Sequence, residues 1–272
     1  MVEECNEDEA PARSGERRRR VQSAVTGMAV LKGLARMGGR ASLTALAAHI
    51  EESPAKVHRY LVSLVEEGLV ARDAGGQQYQ LGVEALQIGL AAMRQADPIR
   101  LAEASLVRLR ERHEITCFIA VMGNKGPTIV RFEEPGLPVT VNVRVGSVMP
   151  LLWSATGRVF LGLLDEREVL ALAQAELAAA APDLRALLAA HDPIGQLRRD
   201  IRAAGCAAVR DVNLKGISAV SAPVYDYTGR LCAVLTALGA TGGFDPAIDG
   251  PIGTVVREEA VVVSSQLGYV RP

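Results

Sequence analysis

The sequence has no grouped cysteines or histidines, no apolar run long enough for a membrane, and no excess of one charge. Each absence closes off a class of function. The four cysteines, Cys5, Cys117, Cys206 and Cys232, lie far apart with no CxxC spacing, so they read as free thiols rather than as a disulfide framework, a redox switch or a metal site. His49, His58, His113 and His191 are equally scattered, which rejects zinc and leaves no metal expected. No apolar stretch approaches the roughly 20 residues that cross a bilayer. The first twenty residues turn from acidic to arginine-rich without a hydrophobic h-region. Neither membrane nor secretion is indicated, and the cytoplasm is the expected location. The formal net charge of −1 speaks against indiscriminate nucleic-acid binding and leaves that question to local charge.

Signatures of catalysis are missing as well: no nucleophile elbow, no phosphate-cradling glycine loop, no HExxH and no DxDxDG pattern. Asp165, Glu166 and Glu168 lie between two predicted helices, where carboxylates complement a helix N-terminus. The expectation is therefore no catalytic residue, no cofactor and no enzyme, with chemistry in the C-terminal half kept as the minor alternative.

What the chain does have is length and apolar content. Its 272 residues are 49% hydrophobic and 22% charged, enough for two globular domains at roughly 100–200 residues each. Residues 1–20 lack hydrophobic periodicity and are expected to form a flexible tail. Within it, Arg17–Arg20 either stay solvated or touch DNA phosphates. Residues 21–83 read as three helices and a hairpin, 84–97 as a helical linker ending at Asp97-Pro98, and 98–272 as an α/β domain.

The first helix is predicted from about Ser23 to Met37, ending at Gly38-Gly39. Ser42 is a candidate N-cap for a second, short helix whose stripe is Leu43, Leu46, Ala47 and Ile50. Ser53-Pro54 starts a third, because Ser accepts from free backbone N–H groups and Pro at the first helical position loses no hydrogen bond. On that helix Val57, Tyr60, Leu61, Leu64 and Val65 share one face, while Ala55, Lys56, Arg59 and Ser63 fall largely opposite. Small, hydroxylic and basic side chains suit insertion into a DNA groove, although a merely solvated face would look similar. His58 sits at the edge of the buried face, where packing is an equal reading. Gly68 then ends the helix, and a two-stranded wing turns at Gly75-Gly76, with Arg72 and Gln77 near its tip. The candidate DNA-binding set is Ser42, Ser53, Ala55, Lys56, His58, Arg59, Ser63, Arg72 and Gln77.

In the C-terminal half, Leu137, Val139, Val141, Val143 and Val145 alternate with polar residues or Pro138, the period of a half-buried strand. Ile217–Tyr225 and Arg230–Gly239 flank a turn-rich Asp226-Tyr227-Thr228-Gly229 and should pair as a hairpin. Helices are expected near 154–163, 165–176, 182–189 and 193–204, with a last one from Phe244 to Leu267.

These residues resemble the IclR family of bacterial regulators. The resemblance rests on Leu43–Ala47, Val57–Leu64, Glu67-Gly68-Leu69-Val70 and Tyr79–Gly82, then on Val145-Gly146, Met149-Pro150-Leu151, Ala155–Arg158, Ile201–Gly205, Ala222–Asp226 and Gln266–Gly268. It covers about residues 21–268. It implies an N-terminal winged helix-turn-helix that binds double-stranded operator DNA, and a C-terminal GAF-like α/β domain with an antiparallel sheet that binds a small-molecule effector. It also implies a homo-dimer or tetramer acting as a repressor or activator, with repressor preferred. Control by a protein partner without a small effector is the alternative.

Matching this family outward from Gly157, Gly205, Gly216 and Pro223 implies an effector pocket near Val141, Trp153, Ala155, Thr156, Val209, Asp211, Ala219, Ser221, Thr236 and Leu238. Relatives that bind small oxoacids carry an acid, a Cys and a hydroxyl where this chain has Val209, Ala219 and Leu238. A small anion would be buried there with few donors. The expectation is a larger, more apolar or aromatic ligand, with Thr156 and Thr236 fixing its polar end. Trp153 reads equally as plain core, and Arg158 as a rim cation for a carboxylate.

Overall fold

Two serines set the helix starts that matter most in the N-terminal unit. Ser42 caps helix α2 (Leu43–His49) by accepting from the Ala45 N–H, and Ser53 caps helix α3 (Pro54–Glu66) by accepting from the Lys56 N–H, with Pro54 at the first position. In the computed structural model, which describes residues 21–73, 75–136 and 143–271, these helices pack against helix α1 (Gln22–Arg36). Val30, Leu34, Leu46, Val57 and Leu61 are completely buried in the shared core. The Arg17–Arg20 tail lies outside the described residues.

The wing differs from expectation. Strands β2 (Val70–Arg72) and β3 (Gln78–Leu81) form the hairpin, but Arg40–Ser42 adds a strand, β1, in the order β1-β3-β2 with Ala41 opposite Tyr79. Gly38 and Gly39 at φ +82° and +81° fold the chain back from α1 onto β3, a turn that other residues adopt only with strain. Three residues are too few to carry a strand period, so nothing in the pattern announced β1. Helix α4 (Val83–Met93) follows, and none of its residues is buried.

Cα packing divides the chain between Gln95 and Ala96. The second unit begins with helix α5 (Pro98–His113), capped by Asp97, and strands β4 (Thr116–Gly123) and β5 (Gly126–Glu133). Helices α6 (Ala155–Leu163), α7 (Arg167–Ala179), α8 (Pro182–Arg185) and α9 (Pro193–Ala204) come next. Strands β6 (Ala207–Arg210), β7 (Ile217–Tyr225) and β8 (Leu231–Ala240) then lead to helix α10 (Pro251–Gln266). The five strands form one antiparallel sheet, β5-β4-β8-β7-β6.

Period-two alternation sends β8 residues Ala233, Leu235 and Ala237 to one core, with α5 and α10, and Val234 and Leu238 to the other, with α6. The sheet thus has two filled faces.

Three expected boundaries move. The last helix begins at Pro251 rather than Phe244: Phe244 is buried against Gly239, and Asp245 accepts from the Ala247 N–H in a turn before the Gly250-Pro251 helix start. The 182–189 helix is only the four residues of α8. Of the expected strand at 137–145, residues 137–142 lie outside the described residues and 143–145 are not strand; instead Gly146 donates to Ile129 O and Ile129 to Ser147 O, lining this segment along β5.

Arg108 ties α5 to α10 through two hydrogen bonds to Glu259, of 2.8 and 2.5 Å. Burial works against the Glu259 charge, but hydrogen bonds from Arg108 and Ser105 overcome it and hold the carboxyl below its ordinary range. A depressed folded pKa means stabilisation that is present above the unfolded value and lost as pH falls through the folded one. Urea unfolding at pH 7 and pH 3.5 should therefore show a smaller pH-dependent loss of stability in Glu259→Gln than in the unmodified chain; equal losses would exclude this linkage.

Candidate nucleic-acid interface and ligand cavity

Along α3, Ala55, His58, Arg59, Val62 and Ser63 are exposed, opposite the buried Val57, Leu61 and Leu64. His58 therefore faces solvent and does not pack. Lys56 is half-buried, its Nζ 2.7 Å from Glu52 Oε1, whereas Arg59 has no hydrogen bond or ion pair among the described residues. Glu52 lies just before the Ser53 cap, outside the helix, so no helical spacing announced it as a partner.

Ser42 and Ser53 spend their hydroxyls as caps. On the wing, Arg72 donates to Tyr79 Oη at 3.1 Å and lies 5.3 Å from the centre of its ring. Gln77 is exposed at the turn. Sequence reasoning passed over Arg40, which β1 brings beside the wing and pairs with Asp73 at 3.0 Å.

In the second unit, α6, β6, β7 and β8 bring Ala155, Thr156, Val209, Ala219, Thr236 and Leu238 around one cavity of about 30 Å³. That is room for one or two waters. Thr156 Oγ1 lies 2.8 Å from Thr236 Oγ1, which lies 2.8 Å from Ser221 Oγ, a chain of three buried hydroxyls. Three hydroxyl protons serve two bonds, so one O–H remains for a further acceptor.

Three expected residues do not line this cavity. Ser221 sits behind Thr236 and reaches the cavity only through it. Trp153 packs into the core beside α6. Asp211 has φ +57°, which turns its side chain outward to accept from Gly216 N and Thr241 Oγ1, both at 2.8 Å. Val141 lies outside the described residues. Arg158 is not a rim cation either: its Nε donates to Leu152 O at 2.8 Å, and burial lowers its pKa.

Phe118, Val143, Met149, Ser154, Asn213, Leu214 and Ile217 also line the cavity, and none of them was anticipated. Asn213 and Leu214 belong to an irregular loop without periodicity. The Asn213 carboxamide has no hydrogen bond among the described residues. Ser154 is fully engaged, donating to Pro150 O and accepting from Gly157 N. Among the described residues no charged one lines the cavity, and no group of three His, Cys, Asp or Glu could hold a metal.

The model of the C-terminal domain of IclR bacterial transcriptional regulators matches residues 90–264, and that of the IclR helix-turn-helix domain matches residues 23–74. The chain belongs to the IclR family. It is a DNA-binding regulator of transcription, with the winged helix and the antiparallel α/β domain of that family. Among IclR relatives, the repressor AllR of Klebsiella pneumoniae is 24% identical over 249 residues, covering 91% of this chain and 90% of AllR. The regulator XynR of Escherichia coli is 23% identical over 218 residues, covering 80% and 85%. The crystal structure of HmgR from Pseudomonas aeruginosa matches with a TM-score of 0.82 and 41% identity, over 92% of this chain and 99% of that one. No helix among the described residues is long and apolar enough to cross a membrane.

Proposed function

We propose that this IclR regulator is a cytoplasmic repressor, a dimer or tetramer whose operator affinity changes when a small molecule occupies the C-terminal cavity. Two features support the reading: the exposed polar face of a capped α3, with Arg59 unpaired among the described residues, and a cavity lined from five elements of the other unit, α6, β4, β6, β7 and β8. AllR is named as a repressor, which supports the sign. Residues 21–83 would carry the DNA-binding face, 84–97 the coupling linker and 98–272 effector binding and self-association. Coupling requires that the ligand bind the two DNA-affinity states unequally.

The ligand class follows from the lining. With hydroxyls at Thr156 and Thr236, a carboxamide at Asn213 that has no hydrogen bond among the described residues, and mostly apolar walls, any carboxylate would lack a counter-charge, and only a ligand with a large apolar body gains enough burial to offset that cost. An aromatic or apolar body with one acceptor for Thr156 and one further polar substituent for Asn213 fits the inventory. At about 30 Å³ the cavity must enlarge to admit it, and the Asn213-Leu214 loop, with Leu214 partly exposed, is the wall nearest solvent.

Calorimetric titration of the full chain with phenylacetate, 4-hydroxyphenylacetate, glyoxylate and pyruvate tests this. The aromatic acids should bind more tightly than the oxoacids. Asn213→Ala should reduce the advantage of the hydroxylated ligand by about fivefold, the value of one neutral hydrogen bond of roughly 1 kcal/mol. Tight binding of glyoxylate or pyruvate to the unmodified chain would refute the ligand class.

A further inference from the structure

Leu152 lies between two charges of opposite sign. Glu176 of α7 accepts from the backbone N–H of Leu151 at 2.7 Å and of Leu152 at 3.1 Å, one bond to each carboxylate oxygen. Arg158 of α6 donates its Nε–H to the Leu152 carbonyl at 2.8 Å. Neither side chain enters an ion pair among the described residues. Both are held against desolvation: burial raises the Glu176 pKa despite its two N–H bonds and lowers that of Arg158. The backbone dipoles stand in for the missing counter-ions, N–H toward the anion and C=O toward the cation.

The gripped segment is otherwise tightly built. Leu151 and Leu152 are buried, and Ser154 closes back onto Pro150 O at 2.7 Å while capping α6. A Cβ on Gly157 would stand 2.0 Å from Pro150 O, so only glycine lets the segment lie this close to the helix. Met149 enters the cavity wall on one side of the segment, and Ser154, Ala155 and Thr156 on the other.

We propose that Glu176 and Arg158 are positioning residues for the ligand site: neither lines the cavity, yet by gripping both backbone groups of Leu152 they fix its Met149 wall relative to its Ser154–Thr156 wall. The size of ligand that the cavity accepts then depends on two charges outside it. This rests on the cavity being the ligand site, and the test separates the two claims.

Trp153, the only tryptophan of the chain, lies inside the gripped segment, so its fluorescence reports on the segment alone, and the Met149 methyl resonance reports on the wall. In the ligand-free full chain, Glu176→Ala and Arg158→Met should move the Trp153 emission, raise its acrylamide quenching about twofold and shift the Met149 methyl signal. Arg158→Lys, which keeps a donor for Leu152 O, should restore most of the native signals, and Glu176→Gln, which keeps one carbonyl acceptor, should give a smaller change of the same sign. In calorimetry with phenylacetate, Glu176→Ala and Arg158→Met should weaken binding about tenfold. The positioning role is overturned if both variants, folded by circular dichroism, leave the Trp153 and Met149 signals unchanged. An unmodified chain that ignores phenylacetate removes the ligand reading of the cavity, and the two spectroscopic signals then decide the positioning role alone.

Discussion

A chain carrying Leu86→Glu and Leu90→Glu should run as a smaller assembly than the unmodified protein in analytical ultracentrifugation, and should bind a two-half-site operator roughly 10²-fold more weakly. The prediction follows from α4. Val83, Leu86 and Ile88 are about 60% exposed, and Leu90 and Met93 about 40%. At 11 residues with no buried side chain, the helix is shorter than the roughly 12–15 residues that hold together alone in water. Something must cover it: Val83, Leu86, Leu90 and Met93 recur at helical spacing on one face, and an exposed apolar face of this kind marks an interaction site. The proposed occupant is a second copy of the chain, because paired recognition helices would match a two-fold operator and linkage would raise the effective concentration of the second binding event. Loss of that linkage lowers operator affinity without touching any residue of α3. Identical mass and identical affinity in the double variant would exclude α4 from the assembly.

How far the sequence could be read depended on whether a signal was local. Ser53-Pro54 located the start of α3 because capping and the missing proline N–H are properties of two adjacent residues. The β7–β8 hairpin was legible because two apolar, β-rich runs flank a turn-rich tetrad. Strand β1 was invisible, since three residues have no period, and the start of α10 was misplaced because Asp245-Pro246 and Gly250-Pro251 both resemble helix openings; the buried Phe244 ring pins the first in a turn.

The cavity shows a different limit. Family matching placed Ala155, Thr156, Val209, Ala219, Thr236 and Leu238 around one space, but alignment does not give side-chain direction. Strand alternation from Val209 would point Asp211 inward, and its positive φ reverses that. Ser221 faces Thr236 across the β7–β8 ladder and is consumed by it. Asn213 lies in an irregular loop and Glu176 accepts from backbone amides, and neither leaves a pattern in sequence.

Arg59→Ala should lower operator affinity by about tenfold or more, with discrimination between operator and unrelated DNA falling in parallel. A bidentate contact to a base edge contributes roughly 1–3 kcal/mol of discrimination, and Arg59 has nothing else to hold it among the described residues. It stands exposed on the face of α3 opposite Val57, Leu61 and Leu64. Lys56 should behave differently. Its ammonium is paired with Glu52 at 2.7 Å, and both side chains keep about a third of their exposure, so the pair is worth little to the fold but competes with any phosphate for the charge. Lys56→Ala should therefore weaken binding to all sequences alike and by less, and should flatten the dependence of log affinity on log salt by about 0.9 for one lost phosphate contact. Glu52→Gln, which frees Lys56, should strengthen non-specific binding. Fluorescence anisotropy with operator and scrambled duplexes across a salt series separates these outcomes. If Arg59→Ala retains full affinity and discrimination with its fold intact, α3 does not dock with this face in the groove, and the wing, where Gln77 is exposed and Arg40 lies beside it, becomes the surface to test.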